Sequence, residues 1–421
     1  MNSNKQLEFK QTEIGDIPEV WAFEELDKHA RIVMGQSPES VFYNSAGEGK
    51  LFLQGVRTFG EIYPKYDTWT THVTKLAKKG AVLLSVRAPV GEVNIADHEV
   101  CIGRGLLSIN GENNFFIFYL FKAFKDYVLR RETGTVFGAV TLDVISKLKF
   151  PFPTIGEQES IAKTFLDFDL KIELNRQMNK TIEVCSQTIF KRWFVDFEFP
   201  NEEGKPYKSS GGKIINSSFG KLPFNWELGS LGDICEITMG QSPPGETYNE
   251  EGAGVPFFQG IRDFGFRFPS KRVYCTAATR FAEQGDVLLS VRAPVGSLNV
   301  ADERCAIGRG ISAIRLKEKQ NGFLYYLLMA TRSDWNRYGD KGSVFGSITK
   351  HDVHDFKIIK PPKDLRDKFG KLVEPLDAKI LLNNVQSRNL AAVRDSLLPK
   401  LMSGKIKVPD TRVPLEENRT A

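Results

Sequence analysis

Residues Leu83–Asp97 read LLSVRAPVGEVNIAD, and residues Leu288–Asp302 read LLSVRAPVGSLNVAD, the same phrase 205 positions later. The repetition extends outward from this stretch. Met34–Pro38 (MGQSP) returns as Met239–Pro243, Gln54–Arg57 (QGVR) as Gln259–Arg262 (QGIR), and Ile102–Gly105 (IGRG) as Ile307–Gly310. Gly134–Thr141 (GTVFGAVT) returns as Gly342–Thr349 (GSVFGSIT) at an offset of 208, and Pro18 and Trp21 face Pro223 and Trp226 at the start of each copy. A chain of 421 residues is long enough for two to three domains, and two tandem copies of about 200 residues account for it.

Each copy opens as a mixed α/β unit of about 150 residues. Short apolar, β-branched runs bounded by turn residues (Ala81–Val86, Asp286–Val291) read as strands. Aromatic and Leu residues at three- and four-residue spacing in Phe115–Arg131 and Phe323–Tyr338 read as helices. A seam of apolar residues in alternating steps of three and four follows. In the first copy it is Ile161, Phe165, Phe168, Ile172, Ile182, Ile189 and Trp193; in the second it is Leu365, Phe369, Leu372, Leu376, Ile380, Leu390, Val393, Leu397 and Leu401. Such a repeat marks helices that pack along their length, each about 55 Å long. Asn175 and Asn383 sit at matching seam positions, where a buried amide can fix register. Because a whole domain separates the seams, self-pairing is expected to be antiparallel. The expected fold class is thus α/β (α+β), with two mixed domains and two long antiparallel coiled-coil helices. The boundaries are 1–156 for the first domain, 157–198 for the first helix, 199–363 for a polar linker and the second domain, and 364–421 for the second helix and tail.

The composition, 41% hydrophobic and 26% charged with a net charge of +5, is that of a globular chain that permits a nucleic-acid partner without requiring one. Five cysteines without CxxC spacing read as free thiols of a reducing compartment, and with no long apolar run the expectation is a cytoplasmic protein with no membrane partner. Catalytic signatures are missing from the sequence: no GxxxxGK[ST] loop, no HExxH, no GxSxG, no Asn/Asp-Pro-Pro-aromatic tetrapeptide. His351 and His354 make an isolated HxxH pair that reads as surface. No catalytic residue, no metal and no cofactor is assigned to this chain.

The duplication separates frame from reader. Positions shared by both copies hold the fold or a common ligand; diverged positions meet what differs between targets. Arg57 and Arg262, Arg87 and Arg292, and Arg104 and Arg309 are shared, and each is either paired internally or clamps a phosphate. Divergence concentrates in Glu39–Lys50 against Pro244–Val255, Glu61–Gly80 against Phe266–Gly285, and Asn113–Glu132 against Lys319–Lys341. The second segment carries Tyr63, Lys65, Tyr66, Trp69, Thr70, His72 and Lys75 in one copy and Arg267, Lys271, Arg272, Tyr274, Thr276 and Arg280 in the other. Basic side chains interleaved with aromatics and hydroxyls suit contacts to phosphates and base edges, although a drifting solvent-exposed loop would look similar.

Taken together, the repeated GDVLLSVRAPVG…IGRG block, the G[ST]VFG…T elements and the junction PFPTIGEQESIA (Pro151–Ala162) resemble the DNA-specificity subunits of type I restriction–modification systems. The resemblance covers nearly the whole chain; the second junction, Pro361–Arg366, lacks the Glu-Gln pair. It implies two target-recognition domains held apart by paired helices, each reading half of a bipartite site in double-stranded DNA. It also implies two methyltransferase subunits that bring S-adenosylmethionine and two restriction–translocase subunits that use ATP and Mg, all as partners. A duplicated protein-interaction scaffold with no nucleic-acid role is the alternative.

Overall fold

The computed structural model describes residues 8–131, 139–218, 220–318, 321–339 and 346–408. The chain resolves into two compact units, Met1–Leu174 with Ser387–Ala421, and Asn175–Gln386. Each contains one copy's β-rich domain together with part of each long helix.

In the first unit an antiparallel sheet runs in the order Val93–Ile95, Val82–Ser85, Leu106–Gly111, Ala30–Met34. A second, mixed sheet of shorter strands runs Tyr43–Asn44, Trp69–Thr70, Lys50–Leu53, Val100–Ile102, Leu76–Ala77, with one parallel pairing that sets Phe52 against Cys101. The second unit repeats both sheets strand for strand, including the parallel pairing of Phe257 with Ala306. All four residues of Val82–Ser85 and of Val287–Ser290 are buried, which explains why Val-Leu-Leu runs on without polar alternation before the serine.

Shared polar residues tie the frame together in both copies. Asn94, fully buried, donates to the Gly60 carbonyl (2.8 Å), and Asn299 does the same to Gly265 (3.0 Å). Asn114 donates to the Gly80 carbonyl and Asn321 to that of Gly285, each at the start of the apolar helix. These helices, Asn114–Ala123 and Gly322–Ala330, are buried on nearly every face, and each is followed by a shorter one, Lys125–Leu129 and Arg332–Gly339. The motifs at Gly134–Thr141 and Gly342–Thr349, and the third diverged segment, lie partly outside the described residues.

The first long helix spans Ile155–Phe190 and continues as a wider turn over Lys191–Val195; the second spans Lys363–Met402. The Glu-Gln junction caps the first. The Thr154 hydroxyl accepts from the Glu157 amide (3.3 Å), and the Gln158 amide donates to the Pro153 carbonyl (3.0 Å). The helices pair antiparallel as the duplicated seams predict. In the first unit, Ile161 and Phe165 share a core with Leu401 and Met402, and Phe168 and Leu397 pack against it. In the second, Phe190 and Phe194 share one with Leu365, Phe369 and Val373, while Ile189 and Trp193 pack against it.

The seam also departs from a simple heptad. Leu372 and Val393 are each 44% exposed, so neither belongs to the buried seam, and Val373 is buried next to the first of them. Ile182, Leu376 and Leu390 are half-buried, while Ile172 and Ile380 are inside as expected. The middle of the pairing is polar. The Asn175 amide donates to Gln386 Oε1 (3.0 Å) and the Asn383 amide to Asn179 Oδ1 (2.8 Å), all within the second unit. Buried amides that bond only in one register fix the alignment of the helices at some cost in stability.

Candidate nucleic-acid interface

The VRAPVG element forms the same turn in both units. Ser85 donates to the Pro89 carbonyl (2.6 Å) and accepts from the Glu92 amide, while Ser290 donates to that of Pro294 (2.7 Å) and accepts from the Ser297 amide. Gly91 and Gly296 take positive φ at its end, and the Ala88–Pro89 and Ala293–Pro294 peptides are both cis. Beside it, Gly103 and Gly308 bond back to Leu53 and Phe258, forming a tight turn with Arg104 or Arg309 at its tip. The MGQSP element packs against that turn. A side chain on Gly35 or Gly240 would collide with the carbonyl of Gly103 or Gly308, so glycine is required there.

These turns enclose a small cleft in each unit. Gln54, Ser85, Arg87 and Arg104 line a space of about 150 Å³ in the first. Gln259, Ser290, Arg292 and Arg309 line one of about 260 Å³ in the second. All four arginines are exposed, and among the described residues no carboxylate lines either cleft.

The flanking loops differ in charge. Arg57 holds Asp67 through two parallel bonds of 2.7 Å, and the guanidinium keeps that carboxyl below its ordinary range. In the second unit Asp67's counterpart is Arg272 and Thr58's is Asp263. Arg272 donates to Asp263 (3.2 Å) and to Glu250 (3.2 Å), while among the described residues no ion pair engages Arg262. Tyr66 donates to Asp97 (2.6 Å) where Lys271 meets Glu303 (2.5 Å). His72 stacks on Phe42 with centroids 5.0 Å apart. Lys65, Lys75, Thr276 and Arg280 are exposed, Tyr63 is 38% exposed, and Trp69 and Tyr274 are half-buried.

Two residues with the composition of readers are internal. Arg267 is 4% exposed, reaches Glu183 and Asp377 at 3.3 Å each, and lies 3.7 Å from the Tyr325 ring centroid. Its counterpart in the first copy is the buried Ile62, and the two backbones bond alike (Ile95 to Ile62, Val300 to Arg267). Arg267 is therefore removed from the readers: its charge is consumed inside the second unit. Thr70 is fully buried with its hydroxyl bonded to the His72 carbonyl, and is corrected likewise.

Sequence reasoning missed Asp67, Asp263, Gln54 and Gln259. For the two acids the signal was present at the fixed offset, where Asp67 is replaced by Arg272 and Thr58 by Asp263. Elsewhere, burial pushes the Cys235 and Cys305 thiols up to about 12, and the cysteines are free. His351 and His354 both contact Asp355. Among the described residues no helix is long and apolar enough to cross a membrane.

The arrangement of two like frames with unlike loops is matched by the family model described as type I restriction modification DNA specificity domain, over residues 63–184 and 223–391. The chain belongs to this family. It is 29% identical to the putative type I restriction enzyme MjaX specificity subunit of Methanocaldococcus jannaschii, over 96% of this chain and 98% of that protein. It is 27% identical to the MjaIX specificity subunit of the same organism, again over 96% and 98%. Among solved structures, the S subunit of a type I restriction–modification system from M. genitalium matches with a TM-score of 0.60 and 18% identity, covering 95% of this chain and 98% of that one. That likeness speaks to the fold, a tandem duplication with long connecting helices.

Proposed function

We propose that this chain is a non-catalytic specificity subunit that reads a bipartite, gapped site in double-stranded DNA, one unit per half-site. The observation that carries the reading is the exchange of charged partners on a shared frame. Arg57 is held by Asp67 in one unit, whereas in the other Arg272 is held by Asp263 and Glu250 and, among the described residues, no ion pair engages Arg262. The Arg57–Asp67 pair is 72% and 50% exposed, a setting in which solvent screens an ion pair and leaves it little weight in stability. Its physical effect is orientation: a guanidinium held by a carboxylate presents its remaining N–H groups in a fixed direction, suited to acceptors on a base edge. In the same reading, two methyltransferase subunits supply S-adenosylmethionine-dependent adenine methylation, and two ATP- and Mg-dependent restriction subunits supply cleavage.

Methylome sequencing of a host expressing the chain with its neighbouring methyltransferase subunit tests this. The expected result is methyladenine in a two-part motif separated by unspecified bases, lost when the chain is omitted. R57A is expected to relax one position in one half of the motif and to leave the other half unchanged. If a folded, bound methyltransferase produces no new methylation, the interaction-scaffold reading takes over.

A further inference from the structure

The twin clefts carry features that the packing of the protein does not require. Gly55 and Gly260 lie in their walls, each in extended backbone (φ −170° and −171°) that any residue adopts. A Cβ at either would meet nothing within 4 Å. Neither conformation nor packing demands glycine there, yet both copies keep that space open. The neighbouring Gly105 and Gly310 differ, since a Cβ on them would press on the Gln54 or Gln259 carbonyl.

Around the open space stand two arginines that no ion pair engages among the described residues. Arg87 and Arg292 follow backbone pinned on both sides: Val86 donates to Gly105 and receives Val140, and Val291 donates to Gly310 and receives Ile348. Arg104 and Arg309 are positioned by their own amides, which donate to the Ser37 and Ser242 hydroxyls (3.2 and 3.3 Å). Two guanidiniums on firmly held backbone that line one recess repel each other, and an anion between them would relieve that repulsion. At about 150 and 260 Å³ the recesses hold more than one water, whose share of the liquid is about 30 Å³. The residues at each cleft match in both copies except for Val56 against Ile261, whereas the loops beside them differ in charge, with Asp67 against Arg272 and Thr58 against Asp263. A ligand common to both targets is thus indicated, one that carries no sequence information.

Resting on the DNA-recognition reading above, we infer that each cleft is a seat for one backbone phosphodiester, gripped by Arg87 and Arg104 in the first unit and by Arg292 and Arg309 in the second. The seats fix each unit on the duplex, and the diverged loops then choose bases. The chemistry would also suit free inorganic phosphate, so the experiment separates the two sources.

The test uses the chain in complex with its methyltransferase subunit, binding a duplex that carries the methylated motif and a scrambled duplex over a range of salt. R87A/R104A and R292A/R309A are each expected to weaken binding to both duplexes by the same factor. Each should lower the slope of log affinity against log salt by about 1, with the methylated motif unaltered. The charge-retaining R87K/R104K should recover most of the slope. G55V, which fills the recess and leaves both arginines in place, should weaken both duplexes alike. Thermal unfolding of all variants should match the parent, since the altered side chains are exposed or face open space. Unchanged affinity and slope in the alanine variants overturns the inference, as does a loss confined to one base position, which would make these arginines readers. Competition by inorganic phosphate at constant ionic strength that depends on the arginines, with the DNA slope unmoved, assigns the cleft to the free anion and overturns the backbone seat. A parent complex that binds neither duplex refutes the DNA reading itself, an outcome distinct from all of these.

Discussion

The two units solve the same internal problems with different chemistry. Where the first buries Ile62, the second buries Arg267 between Glu183 and Asp377. Where the first has Ala81 and Asn110, the second has Asp286, gripped by Arg315 through bonds of 2.9 and 2.5 Å. The strands holding these residues keep the same register, with Val82 opposite Ile109 and Val287 opposite Ile314. A β frame closed by backbone hydrogen bonds and flanked by buried Val, Leu and Ile thus accepts an ion pair or a neutral pair at one site, provided every buried polar group finds a partner.

One contact does not vary. Tyr119 donates to Asp169 (2.8 Å) and Tyr326 to Asp377 (2.7 Å), joining the apolar helix of each domain to the long helix in its unit. Burial drives both phenols far above their ordinary range, so they stay donors at any physiological pH. What differs is the cation: Arg394 from the second long helix meets Asp169, whereas Arg267 from the domain itself meets Asp377.

The comparison breaks most sharply at Arg267. R267I installs the first copy's residue but strands Glu183 and Asp377, and urea unfolding should show a loss of about 3–5 kcal/mol in the second unit. Adding E183A, which copies Ala391 of the other seam, should recover part of it. No loss in R267I would mean that water reaches both carboxylates. Next comes D286A, which leaves Arg315 without its acid. Because Arg315 is 29% exposed, the expected cost is smaller, about 2–3 kcal/mol. D286A/R315N reproduces the Ala81 and Asn110 pair and should return most of that stability; an additive double loss would show that the two frames are not interchangeable. The smallest effect is expected at the invariant contact. Y119F and Y326F should each cost about 1–2 kcal/mol, and alike, since each carboxylate keeps its arginine. Unequal losses would mean that the source of the cation, domain or helix, sets the strength of the junction.

Much of this architecture was legible in the chain. The repeat predicted two like domains, and its turn residues fall where Gly91 and Gly296 take positive φ. Seam spacing predicted two long helices, and Asn175 and Asn383 sit buried at the centre of their pairing. Leu372 and Val393 misled because heptad spacing cannot distinguish a residue facing the partner helix from one on the flank. The candidate interface was legible only as a composition of basic and aromatic residues. Arg267 fits that composition as well as Arg272 does, and burial alone separates them.

The sequence by itself determined the duplication, the order of elements and the division between shared frame and diverged loops, because turn residues, strand patterning and heptads are local signals repeated at a fixed offset. Tertiary structure decided which charges are spent internally and which remain available. Asp67, ten residues from Arg57, neutralises it at the surface, whereas Arg267 finds its acids 84 and 110 residues away. A charge is neutralised by whatever the fold brings within a few ångströms, and that distance is set by packing, not by position along the chain.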